Sequence, residues 1–187
     1  MSPRILAMAN GIDLQAARRA ASERYQEVGL VMLRESRVEE WTFHESGLYG
    51  RGHYTGIRCP KPTTRRRLYV LAHECGHAAL KHGYVGHGGR SHRKDFEAEL
   101  YAHDAMRRHG VAVPKVSADQ GKKYVARRID MSVRAGATQL DREAVKWTRG
   151  YHRRDTVRAL TAGSITLVDM STPGWRAYQR NKPGKGA

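Results

Sequence analysis

The stretch LYVLAHECGHAALKHG, residues 68–83, constrains the chain more than any other. It carries His73-Glu74-Cys75-Gly76-His77, an H-E-x-x-H pattern, inside an apolar run that reads as helix. An α-helix turns about 100° per residue, so positions i and i+4 lie only about 40° apart. His73 and His77 therefore leave one face, one turn apart, and both imidazoles can meet a single ion. Glu74 sits beside that face and can reach a water there without being a ligand. Borderline-soft Zn²⁺ suits two imidazoles and a carboxylate, with a fourth position left to water. Bound Zn²⁺ lowers the pKa of that water toward about 7, where a neighbouring carboxylate can take its proton. Chance produces roughly 0.03 such patterns in a chain of this kind. Two histidines that merely pack are therefore the weaker explanation, and Zn²⁺ is the expected cofactor.

The rest of the chain is read around this helix. Residues 10–29 form a first helix, with Asn10 or Asp13 as its cap and Gly29 as its end. The aromatic and β-branched stretch that follows, punctuated by glycine, reads as two or three short strands. The last runs from Tyr54 to Cys59 and is stopped by Pro60 and Pro62. Thr63 or Thr64 caps the H-E-x-x-H helix, which continues to about His82. Leu68, Leu71, Ala72, Cys75, Ala79 and Leu80 give it the wide apolar coverage of a central helix. A glycine-rich loop leads to a helix from about His92 to Arg108. Two more helices follow, then a late strand at ITLVDM and a basic tail. Residues 1–150 are read as the main domain, with its core at 54–114, and 151–187 as a C-terminal extension. Gly76 suits a close approach by another backbone or a substrate, and Cys75 suits core packing.

A catalytic site needs a third ligand. The next helix carries KDFEAELYAHDAM, with Glu97 and Glu99 two positions apart and so on nearly opposite faces. Glu97 shares its face with Leu100, Tyr101 and Asp104, as expected of a helix packed on the first, and is preferred as the ligand. Glu99, His82, His87 and His92 are the alternatives. Asp104 is a candidate to hydrogen-bond a ligand imidazole and fix its tautomer. Tyr101, His103 and Tyr124 are chemically eligible to stabilise an oxyanion.

The sequence LAHECGH, followed by DFEAELYA about twenty residues on, resembles the ImmA/IrrE metallo-endopeptidases, which are gluzincins. TGIRCP sits where that family has a short strand beside the active-site helix. The resemblance covers roughly residues 54–114. It implies an α+β, minimal zincin-like catalytic domain with a small antiparallel sheet packed on the H-E-x-x-H helix, plus additional C-terminal helices. The family's glutamate-alanine-asparagine signature reads Glu97-Ala98-Glu99 here, which also puts Glu97 on the ligand position. AMRRHGVAVP departs from the family's apolar helix end, and no helix-turn-helix accompanies the domain. The implied role is a regulatory endopeptidase of phage or mobile-element type, acting on a protein partner such as a DNA-binding repressor.

Composition adds a second reading. The chain carries 34 Lys and Arg against 18 Asp and Glu, a net charge of +16. Such a surface attracts acidic proteins and phosphates at long range. No aromatic-interleaved basic motif or zinc-finger spacing accompanies it, so contact with nucleic acid would be nonspecific. The alternative to a protease is thus a basic, zinc-stabilised protein that binds nucleic acid or joins an assembly. The two cysteines, Cys59 and Cys75, form no disulfide framework and fit a reducing compartment. The short apolar run at residues 5–9 is too brief for a signal-peptide core, and nothing is long enough to span a bilayer. A cytoplasmic protein without membrane contact is expected.

Overall fold

The computed structural model describes residues 13–45, 47, 50–52, 56–83 and 91–182. The apolar run at 5–9, Asn10, His87 with most of the glycine-rich loop, and the last five residues lie outside the described residues. In chain order the elements are α1 (Leu14–Glu35), β1 (Glu40–His44), β2 (Arg51–Gly52), β3 (Gly56–Pro60), α2 (Arg65–Ala79), α3 (Ser91–Arg108), α4 (Lys115–Arg134), β4 (Gln139–Asp141), α5 (Arg142–Trp147), α6 (Arg154–Thr161), β5 (Thr166–Val168) and α7 (Pro173–Arg180).

Asp13 caps α1, its carboxylate accepting from the N–H groups of Gln15 and Ala16. The helix does not stop at Gly29. A Cβ there would lie 2.8 Å from Leu71 Cδ2 and 2.9 Å from Pro62 Cγ. The glycine lets α1 press against α2 rather than ending α1. Thr64 caps α2 through its hydroxyl.

The mixed α and β content agrees with the α+β expectation, but the sheet is not simply antiparallel. β3 lies in the middle of the order β1-β3-β2, parallel to β1 and antiparallel to β2. β3, the strand next to the H-E-x-x-H helix in sequence, is thus the central one. Its burial shows why: Gly56, Ile57, Cys59 and Pro60 are all covered and only Arg58 is exposed. A strand covered on both faces reads as a near-continuous apolar run. Residues 45–55, which include β2, separate β1 from β3, so no hairpin turn fixes these two as antiparallel neighbours. A second sheet pairs β4 with β5 in parallel, so ITLVDM does hold a strand. The helices α6 and α7 were not anticipated from the sequence.

Two hydrophobic cores result. The larger lies between α1, the first sheet, α2 and α3, around Met32, Leu68, Leu71, Ala102 and Met106. Cys59 and Cys75 are both free and buried in it. The second joins α3 to α4, α5 and the β4–β5 pair through Phe96, Val125, Ile129 and Leu140. The stretch after residue 150 is tied into both, Ile165 into the second and Trp175 into the first. Among the described residues no helix is long and apolar enough to cross a membrane.

The contact that positions the site is α2 on α3. A Cβ on Gly76 would lie 3.0 Å from both Cα and O of Ala98 and 3.2 Å from Tyr101 Cβ. The close approach anticipated at Gly76 is therefore made by the backbone of α3. Ala98, Ala102 and Ala105, all fully buried, keep that seam narrow. Gly76→Ala should push the helices apart and cost about 1–3 kcal/mol, the usual range for overpacking a tight interior. Thermal unfolding measures this, and an unchanged midpoint would show that the seam has slack.

Candidate metal centre

The narrow seam brings His73 and His77 of α2 against the first turns of α3. Their Nε2 atoms are 3.1 Å apart. The carboxylate that joins them is Asp95, whose Oδ1 lies 3.6 Å from His77 Nε2. One donor atom from each of the three can be chosen so that all lie within 4.8 Å of one another. Tetrahedral Zn²⁺ with bonds of about 2.0–2.1 Å sets its ligand atoms about 3.3 Å apart. The observed spacings bracket that edge, and two imidazoles with a carboxylate suit the ion chemically. These three residues could therefore hold a metal.

Glu97, expected as the third ligand, is elsewhere. Its carboxylate is fully buried and bonded to His82, Arg93 and Thr172. The apolar face on which Glu97 was placed does pack inside the protein, but toward the C-terminal segment. The side of α3 that meets the two histidines carries Asp95 and Glu99, one turn apart. Glu97 is about 200° from each of them around the helix.

Glu99 stands behind His73, its Oε1 3.1 Å from Nδ1, although at an angle too poor for an aligned hydrogen bond. Its Oε2 accepts from the Tyr69 hydroxyl, which in turn contacts His103 Nε2 at 3.0 Å. A Cβ on Gly121 of α4 would meet the Glu99 carboxylate, which could keep its present place only with no side chain at position 121. Asp95 is held in the same way: its Oδ2 accepts from Arg128 Nε at 3.1 Å. A carboxylate backing an imidazole, and a donor fixing a ligand carboxylate, are the usual means of orienting metal ligands.

Glu74 is buried beside the pair. A Cβ on Gly50 would lie 2.5 Å from its Oε1, so the backbone before β2 covers it closely. Burial pushes its carboxyl up to about 7, partly offset by His73. Burial also drives His77 well below its ordinary value, with His73 and His82 adding to the effect. His77 is thus neutral and able to ligate. Burial disfavours a charged His73 too, but Glu99 first, then Glu74 and Asp95, outweigh it and push His73 up to about 9. The three carboxylates favour positive charge at this position.

The group faces a cavity of about 400 Å³, lined beyond the histidines by Tyr69, Glu74, Ser117, Gln120, Gly121 and Tyr124. That is within the range of ligand-binding clefts. Of the three candidate oxyanion donors, Tyr124 lines it. Tyr101 does not: its hydroxyl bonds Ser36 Oγ at 3.0 Å, inside the larger core. His103 is engaged with Tyr69. Asp104, expected behind a ligand imidazole, instead accepts from Tyr178 and is paired with Lys182 and Arg108. His92 is not a ligand either, since its Nε2 accepts from the Asp141 N–H at 3.2 Å.

His82 escaped the helical-face argument because α2 ends earlier than the sequence suggests. Leu80 is the C-cap, and Lys81 adopts φ +54°. Lys81 N–H bonds Ala78 O at 3.0 Å, and His82 N–H bonds His77 O at 2.9 Å. This is a Schellman closure, which folds the chain back over the last turn. His82 is thereby returned to His77 instead of projecting 140° away. Glycine is the usual residue at the left-handed position, and its lysine hides the turn from the sequence. Lys81→Gly should relieve the left-handed strain and raise stability by about 1 kcal/mol. Denaturant unfolding would read this as a higher midpoint, and a lower one would mean that the lysine side chain contributes something unseen here.

No family model, curated protein or solved structure matches this chain.

Proposed function

We propose that the protein is a zinc-dependent endopeptidase of the kind that the resemblance to the ImmA/IrrE metallo-endopeptidases implies. The observation that carries this reading is the convergence of His73, His77 and Asp95 beside a buried Glu74, at the floor of a cleft. Asp95 takes the ligand position that the resemblance assigns to Glu97. Zinc, when bound, supplies an acidified water and a Lewis acid for a peptide carbonyl.

The chain's own groups carry the remaining steps. Glu74 accepts the proton of the attacking water and later delivers it to the leaving amine. Its burial, which favours the protonated form, suits it to hold that proton between the two transfers. Tyr124 is the proposed donor to a developing oxyanion, a reading supported by its place in the cavity lining and by the engagement of Tyr101 and His103 elsewhere. Glu99 and Arg128 hold His73 and Asp95 in place. A protein partner such as a DNA-bound repressor is the proposed substrate, and a cytoplasmic, phage or mobile-element setting is proposed with it.

Glu74→Gln should keep one zinc per chain and lose cleavage of a fluorogenic peptide library by a factor of 100 or more. Asp95→Ala should lose the zinc itself. Metal analysis and turnover read the two effects separately. Wild-type turnover by Glu74→Gln would end the mechanism, and full zinc content in Asp95→Ala would end the ligand assignment.

One observation supports the second reading, nonspecific nucleic-acid contact. Lys123, Arg127 and Arg134 are exposed along α4 beside the exposed ring of Tyr124. Burial sharpens the charge balance. Among the described residues seven carboxylates are buried (Glu74, Asp95, Glu97, Glu99, Asp104, Asp130 and Asp141), against Arg93 among the Lys and Arg side chains. The outer surface is therefore more basic than the composition alone implies. If this surface takes up DNA, affinity for random duplex should fall steeply and linearly on a log–log plot against salt. No binding at low salt removes the reading.

A further inference from the structure

His77 is backed by a buried chain of polar groups that runs to the C-terminal segment. His82 Nδ1 lies 3.1 Å from His77 Nδ1, and His82 Nε2 lies 2.9 Å from Glu97 Oε2. His82 and Glu97 are both essentially inaccessible to solvent. Beyond Glu97 the chain reaches Thr172, whose backbone N–H donates to Oε1 at 2.8 Å and whose hydroxyl donates to Oε2 at 2.6 Å. Arg93 Nε donates to Oε1 at 2.6 Å.

The same region is tied down at several further points. Arg93 also bonds Asp141 and the Ser171 hydroxyl. Asp141 accepts from Met170 N–H. A Cβ on Gly174 would overlap the carbonyl of Leu80, so the start of α7 rests directly on the end of α2.

The proton positions along this chain follow from what each atom can do. An ionised carboxylate only accepts, so His82 Nε2 is the donor to Glu97. In a neutral ring whose one proton is on Nε2, His82 Nδ1 is an acceptor. His77 Nδ1 then carries the proton and donates. His77 Nε2, which faces His73 and Asp95, is left with a lone pair and no proton. That is the tautomer a metal ligand needs.

We infer that Thr172, acting through Glu97 and His82, sets the tautomer and orientation of His77, so that the C-terminal segment is a working part of the metal centre. His82, Glu97 and Thr172 are positioning residues. The inference rests on the zinc reading above. It also gives Glu97 a role that neither its face on α3 nor the family resemblance suggested.

The test measures Zn²⁺ affinity of the full chain by competition with a chromophoric chelator. The metal-stripped form of each variant is checked by circular dichroism and thermal melting. His82→Leu keeps most of the volume and removes both polar contacts. It should bind zinc 10- to 100-fold more weakly, the range expected for loss of a group that orients a ligand. His82→Gln, whose amide can accept from His77 and donate to Glu97, should recover most of that loss. Thr172→Val touches no metal histidine and should still weaken zinc binding several-fold. Thr172→Ser keeps the hydroxyl that donates to Glu97 and that caps α7 by accepting from the Trp175 N–H, and should match the wild type.

Folded His82→Leu and Thr172→Val proteins that bind zinc as tightly as the wild type would overturn the inference alone. If His82→Leu does not fold, the Thr172→Val and Thr172→Ser pair decides by the same readout. A wild-type chain that takes up no zinc would overturn the metal reading and this inference with it.

Discussion

The approach of α2 to α3 at Gly76 governs the rest of the molecule. Because the Ala98 backbone sits where a Cβ would be, the two helices lie close enough for side chains on both to share one polar pocket. Everything at the centre depends on that distance. It sets His73 and His77 opposite Asp95 and Glu99, and it turns the other side of α3 toward the C-terminal segment. A larger residue at position 76 would separate the imidazoles from the carboxylates without altering any of them.

The pocket so formed holds an unusual concentration of buried acid for a basic protein. Taking an isolated carboxylate out of water costs several kcal/mol, so each needs a partner. Asp95 has Arg128, Glu99 has Tyr69 and His73, and Glu97 has Arg93, His82 and Thr172. Two centres result on opposite sides of one helix. One is a cluster of carboxylates and imidazoles open to a cleft, which favours a cation. The other is a sealed network around Arg93, which bonds both Glu97 and Asp141. They meet at the contact between His77 and His82, so the sealed network can act as a rigid support for the open one.

Local signals were legible where a single element decides the outcome. Asp13 and Thr64 cap helices as their side chains predict, and His73 and His77 share a face because helical pitch requires it. The choice of third carboxylate failed because it needs the rotation of α3 about its own axis. Both Glu97 and Glu99 lie on faces that become buried, and Asp95 was not weighed. Asp104 and Tyr101 were misplaced for the same reason: α7 covers the former and α1 engages the latter through Ser36. The antiparallel expectation holds for β2 with β3 but not for β1 with β3, whose direction no pattern within the strands records.

By itself the sequence determined that one helix presents two imidazoles and a carboxylate around one turn, since that follows from backbone geometry and holds in any fold. It also determined the strong positive charge and the absence of a disulfide framework. Only the tertiary structure decided which acid lies beside the two histidines, that Glu99 and His82 stand behind them, and that residues after 168 reach the same region. Those outcomes depend on how helices far apart in the chain rotate and pack against each other. That is settled by the close contacts at Gly76, Gly121 and Gly174 together, and not by any one segment.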